Sequence, residues 1–482
     1  MYLKKITIKN VKCFDEIEIN FMSGNKQRLW TTLFGKNGLG KSTILQAIAI
    51  TLAGPGAMRE LLPIAEGWVR EKKGYGEIIA EIVWTDGDIH PPIRGHGKPK
   101  SKSPYIIQYL VIGDMVEALP IKDDDQSFYI PLTVTPWSGE GTPTEKGLRT
   151  RDLNRLHQTM YAENKRGWLA CGYGPFRRLS GGSQDADRIL YSERITARFV
   201  TLFREDAALT SVTKWLIRLY NTARDGDKNN EKALDYVQRA FRKDFFPESV
   251  TIHVSAREVR LQLQDRPPIT LQDLSDGYRS MLALGVDLLR WLINAFPNSD
   301  DPMQEAGVVL IDELDSHLHP QWQRYIGHWL REKFPKIQFI IATHSPFLAQ
   351  VADVDSHGLI TSADQIKQET GNLILESDKN GVKIDSSNEI VVDARVDQIL
   401  QSPLFDVSIL SPKTEDKLKQ QEDLYQKKAM GEVLSQEEET AYQRLTMWRE
   451  SMPLQTDYQS RQVEQKLHAL VEDFSDELAE IE

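Results

Sequence analysis

"LWTTLFGKNGLGKSTILQAIAITLAG", Leu29 to Gly54, decides how this chain folds. An apolar strand runs into a glycine-rich turn, and the turn opens a helix that Gly54 is expected to stop. Within it "GKNGLGKS", Gly35–Ser42, fits G-x-x-x-x-G-K-[ST] in the strand–turn–helix setting that gives the pattern its meaning. The glycines let backbone N–H groups turn inward around phosphates, and the helix N-terminus adds its dipole. The predicted cradle is Gly35, Asn37, Gly38, Gly40, Lys41, Ser42 and Thr43. Lys41 is expected to reach the β- and γ-phosphates of ATP, and Ser42 to ligate Mg²⁺.

Outward from this turn, a second strand completes the site. "GVVLIDEL" ends in Asp312 and Glu313. A buried strand ending in a carboxylate behind a phosphate loop predicts Asp312 as a second Mg²⁺ ligand. Glu313 beside it is expected to act as general base on the attacking water. The next apolar strand, "QFIIATHS", ends at His344, about thirty residues after Glu313. Short apolar runs alternating with helices mark a parallel α/β sheet.

The rest of the chain fills in around that sheet. "LKKITIKNVKCFDEIEINF" puts Ile6, Ile8, Ile17, Ile19 and Phe21 on an alternation that predicts two strands around a turn. Residues 85–150 are rich in Pro, Gly and charge and read as inserted loops and hairpins. Residues 186–245 read as two long helices broken at "DGDKN", and "SVTIHVSAREVRLQLQD" as a return to extended structure. Near the end, Ser435 and Glu438 have the spacing of a capping box. Val463, Leu467, Leu470, Phe474, Leu478 and Ile481 then share one helical face that something must cover, this chain, a sister copy or a partner.

Taken in order, the glycine-rich loop, "LSDG", "GVVLIDEL", "LDSHLHP" and "IATHSP" resemble the ABC-type ATPases of the RecF and SMC group. That resemblance implies an α/β, ABC-type P-loop head: a mixed sheet with central parallel strands, a short helical lobe and a C-terminal helical tail. The implied division is a head lobe over 1–176, a helical lobe and hairpin over 177–273, a second head segment over 274–400 and a tail over 401–482. His344 would sense the γ-phosphate, Asp315 would face the opposite subunit, and Lys12 of "KNVKCF" would lie toward the adenine.

Two stretches compete for the signature role. "LSGGSQ", Leu179–Gln184, has the better spelling, yet it lies some 130 residues before Asp312 and reads as a turn. In the resembling ATPases the signature heads a helix leading into the Asp–Glu strand. "LSDGYRSMLALGVDLL" has that form, with Asp312 under forty residues on. Ser275 and Gly277 are therefore expected to bind the γ-phosphate of ATP held by a second copy, in a head-to-tail homodimer or larger homo-oligomer. "WLACGYGPFRR" leaves Tyr173 and Arg177 as either reporters of nucleotide state or structural residues.

Composition narrows the partners. Two cysteines, Cys13 and Cys171, exclude a disulfide framework and a cysteine zinc hook. No signal peptide or membrane-length run is present, so a cytoplasmic protein without membrane contact is expected. Of the net charge of −11, −8 lies from Ser411 onward, leaving a nearly neutral body. "RGHGKPKSK" and Arg149, Arg151, Arg155, Lys165 and Arg166 are candidates for DNA phosphate contacts. "CGYGPFRR", "LSDGYRSMLALGVDLL" and "DQILQSPLF" resemble the AAA_21-type ATPases of bacterial anti-phage systems, the Septu type among them. The resemblance implies an ATP-switched regulator of a separate nuclease, often of HNH type. A RecF-like repair ATPase and a nucleotide-gated scaffold with little turnover stay open as alternatives.

Overall fold

The computed structural model describes residues 1–24, 26–62, 67–70, 75–85, 88, 105–112, 128–136, 159–161, 167–177, 182–190, 192, 194–207, 209, 211–241, 250–263, 267–351, 371–378, 381–385, 394–405, 408, 410–430 and 433–451. They divide into two compact units, Met1–Val407 and Ser408–Glu482.

The first unit holds two principal sheets. The central one has six strands in the order Gly381–Asp385, Asn372–Asp378, Trp30–Gly35, Ile337–Ala342, Gly307–Ile311, Ala170–Tyr173. Its first pairing is antiparallel and the other four are parallel. Trp30–Phe34, Gly307–Ile311 and Ile337–Ala342 are buried along their whole length, as strands covered on both faces must be. The second sheet is antiparallel, and its centre is the pairing of Tyr2–Val11 with Phe14–Asn20 and Tyr75–Val83. Ile6 sits opposite Ile19 and Ile8 opposite Ile17, so the alternation places one apolar face inward. Tyr105–Ile112 and Phe128–Pro136, from the inserted region, pair with each other and extend this sheet.

Gln338 joins the two sheets. It is fully buried in the strand Ile337–Ala342, and its amide nitrogen donates to the Leu3 carbonyl at 2.9 Å. Its amide oxygen accepts from the Leu3 N–H at 2.8 Å. The side chain thus satisfies both backbone groups of Leu3, where a register shift between Leu3 and Lys5 interrupts the outer ladder.

The helix Lys41–Leu61 packs against strands of both sheets. Gly54 does leave helical geometry, at φ 83° and ψ 171°, but the helix resumes to Leu61. The Tyr161 ring occupies the space where a Gly54 side chain would stand, and its hydroxyl donates to the Thr51 carbonyl at 2.9 Å.

The helical region is more broken than its periodicity predicts. It comprises Gln184–Leu190, Val200–Phe203, Ser211–Arg224 and Lys228–Phe241, followed by the paired strands Val250–Val254 and Val259–Leu263. The break near Asp206 is held by contacts that reach upstream to Ser183. Its carboxylate takes Arg204 Nη2 and the Ser183 hydroxyl, both at 2.6 Å, and its carbonyl takes the Ser183 N–H.

In the second unit, Pro412–Ala429 and Gln436–Ser451 form an antiparallel helix pair, tied by Lys427–Glu438, Lys428–Glu439 and Arg449–Gln421. The capping box is present: Ser435 Oγ accepts from Glu438 N and Glu438 Oε2 accepts from Ser435 N. The apolar face from Val463 to Ile481 lies outside the described residues, as do "RGHGKPKSK" and the five basic residues 149, 151, 155, 165 and 166. No helix among the described residues is long and apolar enough to cross a membrane.

Candidate nucleotide site

Four parallel strands deliver their C-terminal ends to one edge of the central sheet, where open α/β sheets bind ligands. Trp30–Gly35 leads into the glycine loop, Gly307–Ile311 into Asp312 and Glu313, and Ile337–Ala342 into Thr343 and His344. Ala170–Tyr173 leads into the turn that carries Arg177.

The glycine loop is shaped by close approach. Gly40 has φ 90°, and a Cβ there would lie 2.5 Å from both Cys13 Sγ and the Phe14 ring. The turn at Lys12–Cys13 therefore lies directly on the loop, a position only glycine allows. Lys12 itself has φ 49°, and its ammonium sits 4.5 Å from the Trp68 ring centroid. Burial lowers its pKa. Asn37 and Gly38 are exposed on the loop, and Thr43 is buried in the first turn of the helix behind it.

Charges converge beneath this loop. Lys41 Nζ donates to the carbonyls of Gly35 at 2.6 Å and Lys36 at 3.2 Å. Burial lowers the Lys41 pKa, opposed by the nearby Asp312, Glu313 and Asp315. The Asp312 carboxylate is raised above its ordinary value, chiefly by burial, while a hydrogen bond from Ser42 pulls the other way. Ser42 and Asp312, far apart in sequence, are thus brought close to each other.

Glu313 follows with a left-handed backbone, φ 46°, and a partly exposed side chain. Asp315 accepts a short hydrogen bond from the Thr343 hydroxyl and a longer one, 3.4 Å, from the His344 N–H. Burial and the positive charge of Lys41 lower the His344 pKa, so its imidazole is neutral near pH 7.

Ser275 caps the buried helix Asp276–Ala295, but its exposed hydroxyl makes no capping bond. A Cβ at Gly277 would come within 3.0 Å of the His317 carbonyl, so the first turn of this helix rests on the segment after Glu313. Ser183, beside the better-spelled stretch, has a different environment. It accepts from Ala186 N at the start of Gln184–Leu190 and donates to Asp206. Residues 178–181 lie outside the described residues.

Comparison with known proteins points to ATPases at the level of family. Residues 181–350 match the family described as "AAA domain, putative AbiEii toxin, Type IV TA system", and residues 1–58 match "AAA ATPase domain". The Septu protein PtuA of Bacillus mycoides (strain KBAB4) is 30% identical over 347 residues, 72% of this chain and 38% of that protein. The chain resembles PtuA and carries matches to AAA-type ATPase domains. It spans about two fifths of that relative's length. A retron Vc95 probable ATPase of Vibrio cholerae serotype O1 biovar El Tor is 40% identical over 96 residues, 20% of this chain and 19% of that protein. Among solved structures, the SMC head domain from Thermotoga maritima has a TM-score of 0.41 at 17% identity, covering 81% of this chain and all of that one.

The turn after Ala170–Tyr173 holds two contacts that the sequence pattern does not reveal. Tyr173 donates its hydroxyl to Asp287 of the helix headed by Ser275, at 3.1 Å. Asp287 also takes Trp291 Nε1 at 2.9 Å and pairs with Arg290 at 2.7 Å, all in the interior. Arg177 donates to main-chain carbonyls at the end of the Asp312 strand. The sequence singled out both residues but carried no sign of where they point.

Proposed function

We propose that this chain binds ATP with Mg²⁺ at the glycine loop, hydrolyses it, and uses the γ-phosphate as a switch. The observation that carries the reading is the convergence of the glycine-loop residues Lys41 and Ser42 on the buried Asp312. A hydroxyl and a carboxylate side by side form the pair of hard oxygens that suits Mg²⁺. When bound, the ion would neutralise charge on the phosphate oxygens. Lys41, now on loop carbonyls, has a γ-phosphate as its stronger acceptor. Glu313 takes the proton of the attacking water, and neutral His344 donates a hydrogen bond toward the phosphate.

Ser275 and Gly277 would act on ATP held by a second copy, in a head-to-tail homodimer. Asp315 is tied to Thr343 and His344. On this reading residues 1–176 and 274–400 make the head, 177–273 the helical lobe and 401–482 a tail for association. Likeness to PtuA and to a retron ATPase supports a role in anti-phage defence, and on this reading the chain controls a separate HNH-type nuclease.

The test uses Glu313→Gln. Turnover should fall on the order of 10²–10⁴-fold with ATP still bound and the dimer trapped. Purified from its host, this variant should carry a stoichiometric nuclease. Repair factors in its place would favour a RecF-like enzyme, and a stable multimer alone would favour a scaffold. Loss of ATP binding in Glu313→Gln would remove the role given to Glu313.

A further inference from the structure

The turn "GYGPFR", Gly172–Arg177, is held from two sides. Tyr173 reaches the helix headed by Ser275, through Asp287. Arg177 reaches the opposite way. Its Nη1 donates to the carbonyls of Gly174 and Asp312, each at 2.8 Å. Its Nη2 donates to the carbonyls of Glu313 at 2.9 Å and Leu314 at 3.3 Å. The side chain is only 2% exposed, and burial pushes its pKa down to about 10. A buried guanidinium with four main-chain carbonyls as acceptors is a specialised arrangement, because a carboxylate is the usual partner of a buried cation.

The geometry explains it. In an extended strand successive carbonyls point to opposite sides. Those of Asp312, Glu313 and Leu314 reach one guanidinium because the chain turns sharply there, with Glu313 in the left-handed region at φ 46°. A non-glycine residue holds that conformation only where its surroundings impose it. Gly174 fixes the base of the arm, since a Cβ there would lie 2.0 Å from the Thr201 carbonyl. The turn that presents Glu313 is thus clamped by a residue from another strand.

We propose that Arg177 is a positioning residue for Glu313: by gathering the carbonyls of residues 312–314 it imposes the left-handed turn that aims the Glu313 carboxylate at the attacking water. It rests on the role given to Glu313 above. Lysine cannot replace it, because an ammonium is a point donor whereas the guanidinium fork spans several acceptors at once.

The experiment compares wild type, Arg177→Lys and Tyr173→Phe. Arg177→Lys should keep its Tm within a few degrees and bind a fluorescent ATP analogue as tightly as wild type. Its kcat should fall about 100-fold with KM nearly unchanged, the loss that a small misplacement of a catalytic group produces. Tyr173→Phe, which alters the same turn without touching the carbonyls, should keep kcat within about threefold. Hydrogen exchange in the nucleotide-free protein should show faster exchange over residues 312–316 in Arg177→Lys than in wild type. Wild-type kcat in Arg177→Lys, an equal loss in Tyr173→Phe, or unchanged exchange over 312–316 would each overturn the assignment. A wild-type protein that bound no ATP would instead overturn the function proposed above, and the exchange measurement would still decide what Arg177 does to the turn.

Discussion

Ser183 and Ser275 each stand at the start of a helix, and they differ in what their hydroxyls are doing. Ser183 comes three residues after Ser180, the signature-position serine of LSGGSQ that lies outside the described residues, whereas Ser275 is the serine of LSDG itself. Ser183 is consumed: it caps Gln184–Leu190 and donates to Asp206, which also holds Arg204. Ser275 heads a helix of twenty residues, is exposed, and makes no capping bond. Two residues on, Gly277 lets the helix approach the His317 carbonyl, next to the turn that bears Glu313. A serine that satisfies its own helix has no capacity left for a phosphate. The unused hydroxyl at an accessible helix start has that capacity. The hydrogen bonds around these two serines separate a helix cap from a free hydroxyl at a helix start.

Mutations can break this comparison. The largest effect belongs to the loop that both serines are judged against: Lys41→Ala should abolish ATP binding in equilibrium titration, and retained affinity would remove the site altogether. Next comes Ser275→Ala, which should leave each chain's own ATP binding intact and cut turnover on the order of 10²–10³-fold, as loss of one charge-stabilising donor does. Ser183→Ala should leave turnover unchanged and cost about 1 kcal/mol of stability, the usual cost of a lost N-cap. Equal turnover losses in the two serine variants would erase the distinction.

Asp312→Asn sharpens it from the side of stability. Burial raises the Asp312 pKa in the folded protein. The folded state therefore holds this proton more tightly than the unfolded state does. The associated stability is present below the unfolded pKa and lost as pH rises through the folded one. At neutral pH the charge is a burden, so Asp312→Asn should raise Tm above that of wild type while losing Mg²⁺-dependent hydrolysis. The difference in Tm should vanish in strong acid, and a lower Tm at pH 7 would contradict the origin assigned to the shift.

Sequence made some of this legible because the responsible contacts are periodic or local. The alternation Ile6, Ile8, Ile17, Ile19 maps directly onto facing pairs of one hairpin. The box at Ser435 and Glu438 closes within four residues. The glycine loop needs only its own neighbours to be recognised. Contacts that depend on main-chain atoms of distant segments left no pattern. Arg177 binds carbonyls some 135 residues away, and every residue type has a carbonyl. The break between Phe203 and Ser211 depends on Ser183, far upstream. Gly54 was readable as a helix interruption, but the ring of Tyr161 that fills its open side comes from a remote loop, so the resumption to Leu61 was not.

Gln338 has a mechanical consequence. One side chain in the strand ending at His344 grips both polar groups of Leu3 in the outer sheet. Two antiparallel bonds to a single residue form a bolt: they resist sliding along either strand and allow only rotation about the line between them. Whatever displaces the His344 strand along its axis must carry the Tyr2–Val11 strand of the outer sheet with it. The two layers of the head therefore move as one lever, with Gln338 as the pin.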